Sequence, residues 1–209
     1  PTATPTPKPC LPATPAPTFP ATMTVPLPLL LADNFEGTLE AWTLVDQEGG
    51  ATATISSEAS ETGNCAGQLF VTAAGNSRAY LTKSLGGDKT DVWATGWFDV
   101  TMAGQPGSNV PYLRFFDGSN RIVDVHRLND SGEAELRVAN GSGSWDYPQL
   151  FQVMPLGTWH QVTLHVAPNG AASTIQVWID DNVTPVYSNT HYNLHTTTQL
   201  TTVLLGAEH

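Results

Sequence analysis

Residues 159–180 read WHQVTLHVAPNGAASTIQVWID, and two runs within this stretch alternate strictly between apolar and polar side chains. The apolar members are Val162, Leu164 and Val166 in the first run, and Ile175, Val177 and Ile179 in the second. Successive side chains of a strand point to opposite faces, so each run predicts a strand with one face in a hydrophobic core.

The same kind of pattern continues through the chain from residue 51 onward. Ten short runs rich in β-branched and aromatic residues are predicted strands: 51–56, 67–73, 79–85, 93–102, 111–116, 121–128, 134–140, 159–166, 174–180 and 200–206. Turn-forming clusters such as Asp117-Gly118 and residues 129–132 separate them. Ten strands at this spacing predict an all-β fold, a two-sheet antiparallel sandwich of the jelly-roll type.

The first 28 residues have a different composition, with 10 of the 16 prolines and seven threonines. Such a sequence cannot pack a core and favours an extended, polyproline-like conformation. We therefore divide the chain into a Pro/Thr-rich stalk or N-terminal extension, residues 1–28, and a sandwich domain, residues 29–209.

The charge balance restricts the partners of the chain. Eight Lys and Arg residues stand against 19 Asp and Glu, a net charge of −11. This balance argues against nucleic acid or an anionic membrane surface as a partner. The apolar patch at residues 25–31 is also far shorter than the roughly 20 residues that a membrane-spanning helix needs. We predict no membrane insertion.

The two cysteines, Cys10 and Cys65, lie far apart in the sequence. Two cysteines in a Pro/Thr-rich, Lys-poor chain favour an oxidising compartment and one disulfide between them. This predicts an extracellular or cell-surface protein. The alternative is a pair of free thiols.

Three segments carry a resemblance to a known family: Phe35-Glu36-Gly37 with Trp42, GTWH at 157–160 and VWID at 177–180. Over about residues 30–206 the chain resembles the bacterial laminin G-like modules of the concanavalin A-like lectin/glucanase superfamily. The resemblance implies a concanavalin A-like sandwich and a role similar to that of lectin, adhesion and carbohydrate-binding domains. These segments are structural signatures, so they imply a fold more strongly than an activity.

The chain departs from the family pattern after TTVLLGAE, residues 201–208. In the family a glycine-rich turn and one more strand usually follow, and their absence would leave unpaired backbone groups. A donor strand lent by β-augmentation could complete such a sheet. The candidate assembly strand comprises Met23, Val25, Leu27, Leu29, Leu30 and Leu31.

The first functional hypothesis is therefore a structural subunit of an extracellular filament or layer that binds other copies of itself. The alternative is that residues 29–32 form the first strand of their own domain, in an ordinary monomeric module.

No catalytic motif is present in the sequence, and we predict a non-enzymatic protein. The carboxylate pattern of sandwich glycanases is absent, and the nearest pair, Glu133 and Glu135, fits solvated hairpin charges. Asp124 and His126 are two residues apart and share a strand face. A hydrogen-bonded surface pair is the preferred interpretation of these two, and a metal or proton role is the alternative.

The turn around Asp33 and Glu36 is a weak candidate for calcium, because related sandwiches hold calcium at similar turns. The alternative is an Asx-type turn with Glu36 in solvent, since no dense cluster of oxygen ligands is evident. No other cofactor is predicted.

The second functional hypothesis is a carbohydrate-binding or adhesive module whose partner is a polysaccharide or cell-surface glycan. If the strands at 159–166 and 174–180 are neighbours, their polar residues share one outer face. An exposed indole beside amide and imidazole groups is typical of a sugar-binding platform. The candidate residues are Gln161, His165, Gln176 and Trp178 on that face, with Trp145 and Tyr147 in the loop at 141–149. The alternative is that both indoles pack structurally.

Overall fold

The computed structural model describes Cys10 and residues 28–208. This part of the chain forms β-strands and one short 3-10 helix, Gly170–Ala172, and no helix in it is long and apolar enough to cross a membrane. The strands are β1 (Leu44–Glu48), β2 (Thr52–Ser56), β3 (Ala66–Phe70), β4 (Arg78–Lys89), β5 (Val92–Phe98), β6 (Asn109–Asp117), β7 (Asn120–Leu128), β8 (Glu133–Ala139), β9 (Trp145–Asp146), β10 (Gln149–Val153), β11 (His160–Ala167), β12 (Ser173–Ile179), β13 (Tyr187–Tyr192) and β14 (Leu200–Glu208).

The strands form two packed sheets and a hairpin. The large sheet has eight strands in the order β1-β4-β14-β6-β7-β8-β10, with β9 paired to β8. The small sheet has the order β13-β12-β11-β5, and β2 pairs with β3 in the hairpin. Every pairing is antiparallel. The antiparallel sandwich predicted from the sequence is confirmed.

The main core lies between the two sheets. Val162, Leu164 and Val166 of β11 are fully buried, and so are Ile175 and Val177 of β12, as their alternation predicts. The facing residues of the large sheet include Phe115, Val123, Val125, Leu136 and Val138. Full burial of an aliphatic side chain of this size contributes about 1.5–3 kcal/mol. The opposite face of each sheet, which we call its outer face, is thereby left for polar side chains.

β14 lies inside the large sheet, between β4 and β6. An unpaired strand edge was expected next to residues 201–208, but β14 has a hydrogen-bonded neighbour on both sides. The terminal strands of the described sheets are β1 and β10 in the large sheet and β13 and β5 in the small sheet. Among the described residues, β5 ends the small sheet and pairs only with β11.

A smaller apolar cluster joins the hairpin to the large sheet. Its buried members are Ala51, Ala53, Ala79 and Leu81, with Phe35, Trp42, Val45 and Leu69 among the residues packed against them. Cys10 and Cys65 form a disulfide beside this cluster, with their Cα atoms 5.5 Å apart. This bond fixes one residue of the N-terminal extension to the sandwich.

Candidate functional site

The outer face of the large sheet carries a connected set of charged and polar side chains. They alternate along β6, β7 and β8 with core residues, so the pleat places them on the opposite face. The register sets Arg114 opposite Asp124, and Asp124 opposite Arg137. We call this set the polar network; its members are Tyr80, Arg114, Arg121, Asp124, His126, Glu135, Arg137 and Glu208.

Asp124 is the centre of the polar network and is fully buried. Its carboxylate accepts hydrogen bonds from His126 Nδ1 at 2.6 Å and from Arg137 Nη2 at 2.7 Å, and Arg121 Nη1 lies 3.3 Å away. Burial alone would raise the pKa of Asp124, but the hydrogen bond from His126 and the charges of Arg114 and Arg137 lower it to about 2. The carboxylate is therefore ionised throughout the physiological pH range.

Glu208 completes the polar network on the β14 side. Its carboxylate accepts hydrogen bonds from both terminal nitrogens of Arg114 and from the Tyr80 hydroxyl. Burial raises the pKa of Glu208, but the bonds from Arg114 and Tyr80 outweigh it and the net shift is downward. Burial and the bond to Glu208 raise the pKa of Tyr80 to about 12, so the phenol is neutral.

The Tyr80 ring lies over Gly206, its register partner on β14. A Cβ atom at this position would lie 2.3 Å from Tyr80 Cδ1 and 2.8 Å from the carbonyl oxygen of Ala79. Glycine is therefore required here for close approach of the ring. Because Gly206 has no side chain, the Tyr80 ring can pack against β14, and its hydroxyl then reaches Glu208.

His126 is bound at both ring nitrogens. Nδ1 bonds Asp124, and Nε2 lies 3.1 Å from Glu135 Oε2. The predicted Asp124–His126 pair thus exists, but it is buried and not at the surface, because arginines and carboxylates of the neighbouring strands cover it. Glu135 serves as a partner of this histidine, so it is not a simple solvated hairpin charge.

A polar cavity of about 360 Å³ opens beside Tyr80 and Glu208. Its volume falls at the lower end of the range for small-ligand sites. The lining residues are Asn76, Ser77, Arg78, Tyr80, Gly107, Ser108, Asn109 and Glu208. Amide, hydroxyl, guanidinium and carboxylate groups therefore meet in one place, which supplies both donors and acceptors of hydrogen bonds.

An aromatic rim, Trp145, Tyr147 and Phe151, lies on the β9–β10 side of the polar network. The Trp145 ring packs against the guanidinium groups of Arg121 and Arg137, 4.7 Å and 5.1 Å from its centroid. Tyr147 is 48% exposed and Phe151 is 88% exposed. Phe151 also has a φ of 55°, within a register shift of β10 against β8.

The outer face of the small sheet holds the other four predicted carbohydrate residues. β11 and β12 are neighbours, so Gln161, His165, Gln176 and Trp178 share this face as expected. However, Trp178 is only 1% exposed and stacks on Trp93 of β5, 5.2 Å between ring centroids. The expected exposed indole is therefore absent at this position, where Trp93 reaches across from β5, two strands away.

His165 is similarly engaged within the protein. Its ring stacks on Trp93 at 4.0 Å, Nδ1 lies 2.9 Å from Gln176 Oε1, and Nε2 lies 3.0 Å from Asp91 Oδ1. Gln161 is buried. The six predicted residues thus fall on two different faces of the molecule, since Trp145 lies on β9 of the large sheet and Tyr147 lies between β9 and β10.

Asp33 and Glu36 act as hydrogen-bond acceptors within the first turn. Asp33 accepts bonds from the backbone N–H of Phe35 at 2.8 Å and from Trp42 Nε1 at 2.7 Å. The Glu36 carboxylate is buried and accepts a bond from the Cys65 N–H at 2.9 Å. Within residues 28–208 and Cys10, no three His, Cys, Asp or Glu side chains are grouped to hold a metal ion. The turn agrees with the Asx-type alternative, except that Glu36 is not in solvent.

Comparison with solved structures places this architecture among known folds. The chain is similar to an endo-β-1,4-glucuronan lyase from the fungus Trichoderma reesei, with a TM-score of 0.64 and 14% identity over 82% of this chain and 81% of that chain. It is also similar to the globular domain of T. cruzi calreticulin, with a TM-score of 0.55 and 11% identity over 82% and 79% of the two chains. The fold is a jelly-roll sandwich.

At these identities the likeness shows the fold alone. No protein-family model matches the chain, and no curated protein matches its sequence. The concanavalin A-like architecture agrees with the comparison, while the finer resemblance to laminin G-like modules stays a prediction.

Sequence reasoning missed several residues of this face, chiefly Tyr80, Arg114, Glu208 and Phe151. Arg114 did leave a signal, since it is the single charged residue in the apolar run at 111–116. A charge inside such a run indicates a partner on a neighbouring strand. Glu208 and Tyr80 gave no comparable signal, and nothing in the local sequence indicates the backbone conformation of Phe151.

Proposed function

We propose that this chain is a non-enzymatic carbohydrate-binding module whose ligand lies along the outer face of the large sheet. The observation that carries the proposal is the composition of this face: the polar network is flanked by the polar cavity on one side and the aromatic rim on the other. Sugars present hydroxyl groups together with apolar C–H faces, so their sites combine hydrogen-bonding side chains with aromatic rings. The similar glucuronan lyase also acts on a polysaccharide.

The dimensions of the face suit a glycan chain. From β4 through β14, β6, β7 and β8 to β10 there are five strand spacings, or about 24 Å. A short oligosaccharide segment spans that distance. The ligand would run across the strands from the polar cavity to Phe151.

The chemistry of the face supports binding more than catalysis. A general base needs a lone pair that can reach the substrate, yet both ring nitrogens of His126 are bound to carboxylates. Tyr80 is held neutral by a raised pKa and bonds Glu208. The disulfide between Cys10 and Cys65 supports an extracellular location for the module.

Calorimetric titration with a panel of soluble polysaccharides tests the proposal. We expect Asn109→Ala, which removes an amide from the polar cavity, to weaken binding about tenfold, since a lost hydrogen bond costs about 1–1.5 kcal/mol. Trp97→Ala is the matched control, because Trp97 is 44% exposed on the outer face of the small sheet. Loss of binding in Trp97→Ala alone would move the ligand to the other face. Absence of binding across the panel would contradict the proposal.

A second candidate, a structural subunit assembled by strand addition, is favoured by the surroundings of β5. Among residues 28–208, β5 pairs on one side only, and an apolar cleft of about 1290 Å³ lies beside it, lined in part by Leu29, Leu30 and Leu31 of the predicted assembly strand. Strand edges beside uncovered apolar surface are sites of β-augmentation. The other predicted members, Met23, Val25 and Leu27, lie outside the described residues.

Light scattering over a concentration series tests this second candidate. We expect the native chain to form concentration-dependent assemblies, and the double variant Leu29→Asp/Leu30→Asp to remain monomeric, because two charges would have to enter the apolar cleft. Val183→Asp is the control, since Val183 is 66% exposed and does not line the cleft. A native chain that stays monomeric throughout would exclude assembly.

A further inference from the structure

We infer that the ligand of the large-sheet face is an uncharged polysaccharide, and that Tyr147 and Phe151 are the residues on which its sugar rings stack. This inference rests on the proposed function and adds the class of ligand and the stacking residues. Two independent features carry it: the pairing of charges in and beside the polar network, and the conformation of Phe151.

The guanidinium groups of the polar network are already matched by carboxylates of the protein. Arg114 bonds Glu208 through both terminal nitrogens, while Arg137 and Arg121 contact Asp124 at 2.7 Å and 3.3 Å. With Glu135 the network holds three guanidinium groups and three carboxylates. A sugar carboxylate that approached these arginines would have to compete with the protein's own carboxylates for them.

The guanidinium group that lines the polar cavity is also paired with carboxylates of the protein. Arg78 lines it, and this side chain is held by Asp46 at 3.0 Å and by Glu48 at 2.9 Å. Glu208 adds a further carboxylate to the lining. These pairs are partly exposed, so displacing them costs little, and the cavity disfavours an incoming uronate mainly through the negative charge of its own carboxylates.

The net charge of the whole chain also disfavours an anionic ligand. A net charge of −11 creates a negative potential around the molecule and repels a polyanion at long range. Hydroxyl groups of an uncharged sugar meet no such repulsion, and they can donate to the carboxylates and accept from the amides and guanidinium groups without displacing any ion pair.

Phe151 is held in a conformation that turns its ring into solvent. A bulky residue at a φ of 55° is unusual and costs free energy, so the surrounding structure must impose it. Gln149 and Val153 pair with β8 on either side of the irregularity, and Leu150 is buried in the core. These contacts fix the backbone around Phe151 and leave its side chain 88% exposed.

Phe151 lies on β10, which pairs with β8, the strand that carries Glu135 and Arg137 of the polar network. Tyr147, 48% exposed, precedes β10, and Gln149 is the register partner of Glu135. Aromatic faces stack on the apolar C–H faces of sugar rings while neighbouring polar groups bond the hydroxyls. An uncharged glycan can stack on the aromatic side chains and also form hydrogen bonds with the polar groups beside them.

The test uses the full disulfide-bonded chain and two sets of probes. The uncharged set is xyloglucan, galactomannan, mixed-linkage β-glucan and arabinan, and the anionic set is glucuronan, polygalacturonate and alginate, each titrated at low and high salt. We expect an uncharged probe to bind with little salt dependence. We expect Phe151→Ala to weaken that binding about tenfold or more, Phe151→Trp to retain it, and Trp97→Ala to leave it unchanged.

Each other outcome has a defined meaning. Binding of anionic probes alone, with affinity that falls steeply as salt rises, overturns the inference and leaves the proposed function standing. Binding of uncharged probes that Phe151→Ala does not weaken removes Phe151 as the stacking residue. Absence of binding to any probe overturns the proposed function itself. A solution mass that depends on Phe151, without glycan binding, assigns the aromatic rim to a protein contact instead.

Discussion

An Asp124→Asn variant should unfold with a free energy about 3–5 kcal/mol lower than that of the native chain. Asp124 is fully buried, and its carboxylate contacts the side chains of His126, Arg121 and Arg137. Removing one member of a buried ion pair leaves its partners without compensation, which accounts for the size of the effect. Urea unfolding followed by circular dichroism measures it.

Asp46→Asn is the matched control for this variant, because Asp46 also pairs with an arginine but is partly exposed. Exposed pairs contribute about 0–1 kcal/mol, so the control should stay close to the native value. Equal stability of Asp124→Asn and the native chain would show that the polar network does not hold the sheet together.

Acid provides an independent readout of the same carboxylate. Its pKa is lowered from 3.8 to about 2 in the folded chain. The stabilisation from Asp124 is therefore complete above pH 4 and is lost as the pH falls toward 2, an effect of about 2 kcal/mol. Asp124→Asn should lack this part of the acid dependence, while the part that comes from Glu208, whose pKa is also lowered, should remain.

Reduction of the Cys10–Cys65 disulfide should lower the free energy of unfolding by about 4 kcal/mol. The bond joins residues 55 positions apart, and closing so long a loop removes considerable entropy from the unfolded chain. Urea unfolding with and without a phosphine reductant measures the difference. Reduction is preferable to mutation, because Cys65 is buried and its replacement would also leave a cavity.

The reduced chain should still fold, since the buried Glu36 carboxylate bonds the backbone at Cys65 independently of the sulfur. A Cys10→Ser/Cys65→Ser variant, treated with and without reductant, controls for effects of the reagent itself. Rapid alkylation of both cysteines in the native chain without reductant would contradict the bond.

The sequence predicted the interior of the sandwich better than its margins. All ten predicted strands are present, because nearly all of them bury an apolar face that alternation reveals. The strands that were missed include β1, β10 and β13, which lie at the edges of the two sheets. Edge strands bury less and carry polar sequences such as YSNTHY in β13, so their periodicity is weak.

The candidate site was less accessible to prediction, because its contacts depend on long-range register. Arg114 and Glu208 are 94 residues apart, and Tyr80 and Glu208 are 128 apart, so no local pattern joins them. Trp178 illustrates the same limit. Alternation correctly placed it away from the core, but only the pairing of β5 with β11 brings Trp93 over it.

The position of β14 has a consequence for how the chain is made. It is the last strand of the described residues, yet it joins β4 to β6 in the middle of the large sheet. On the ribosome, β1 with β4 and β6 with β7 and β8 can pair as separate halves, but their union must wait until residues 200–208 have emerged. Completion of the large sheet, and with it the Arg114–Glu208 contact, therefore follows the synthesis of all the other described strands, and β4 and β6 each expose an unpaired edge until then.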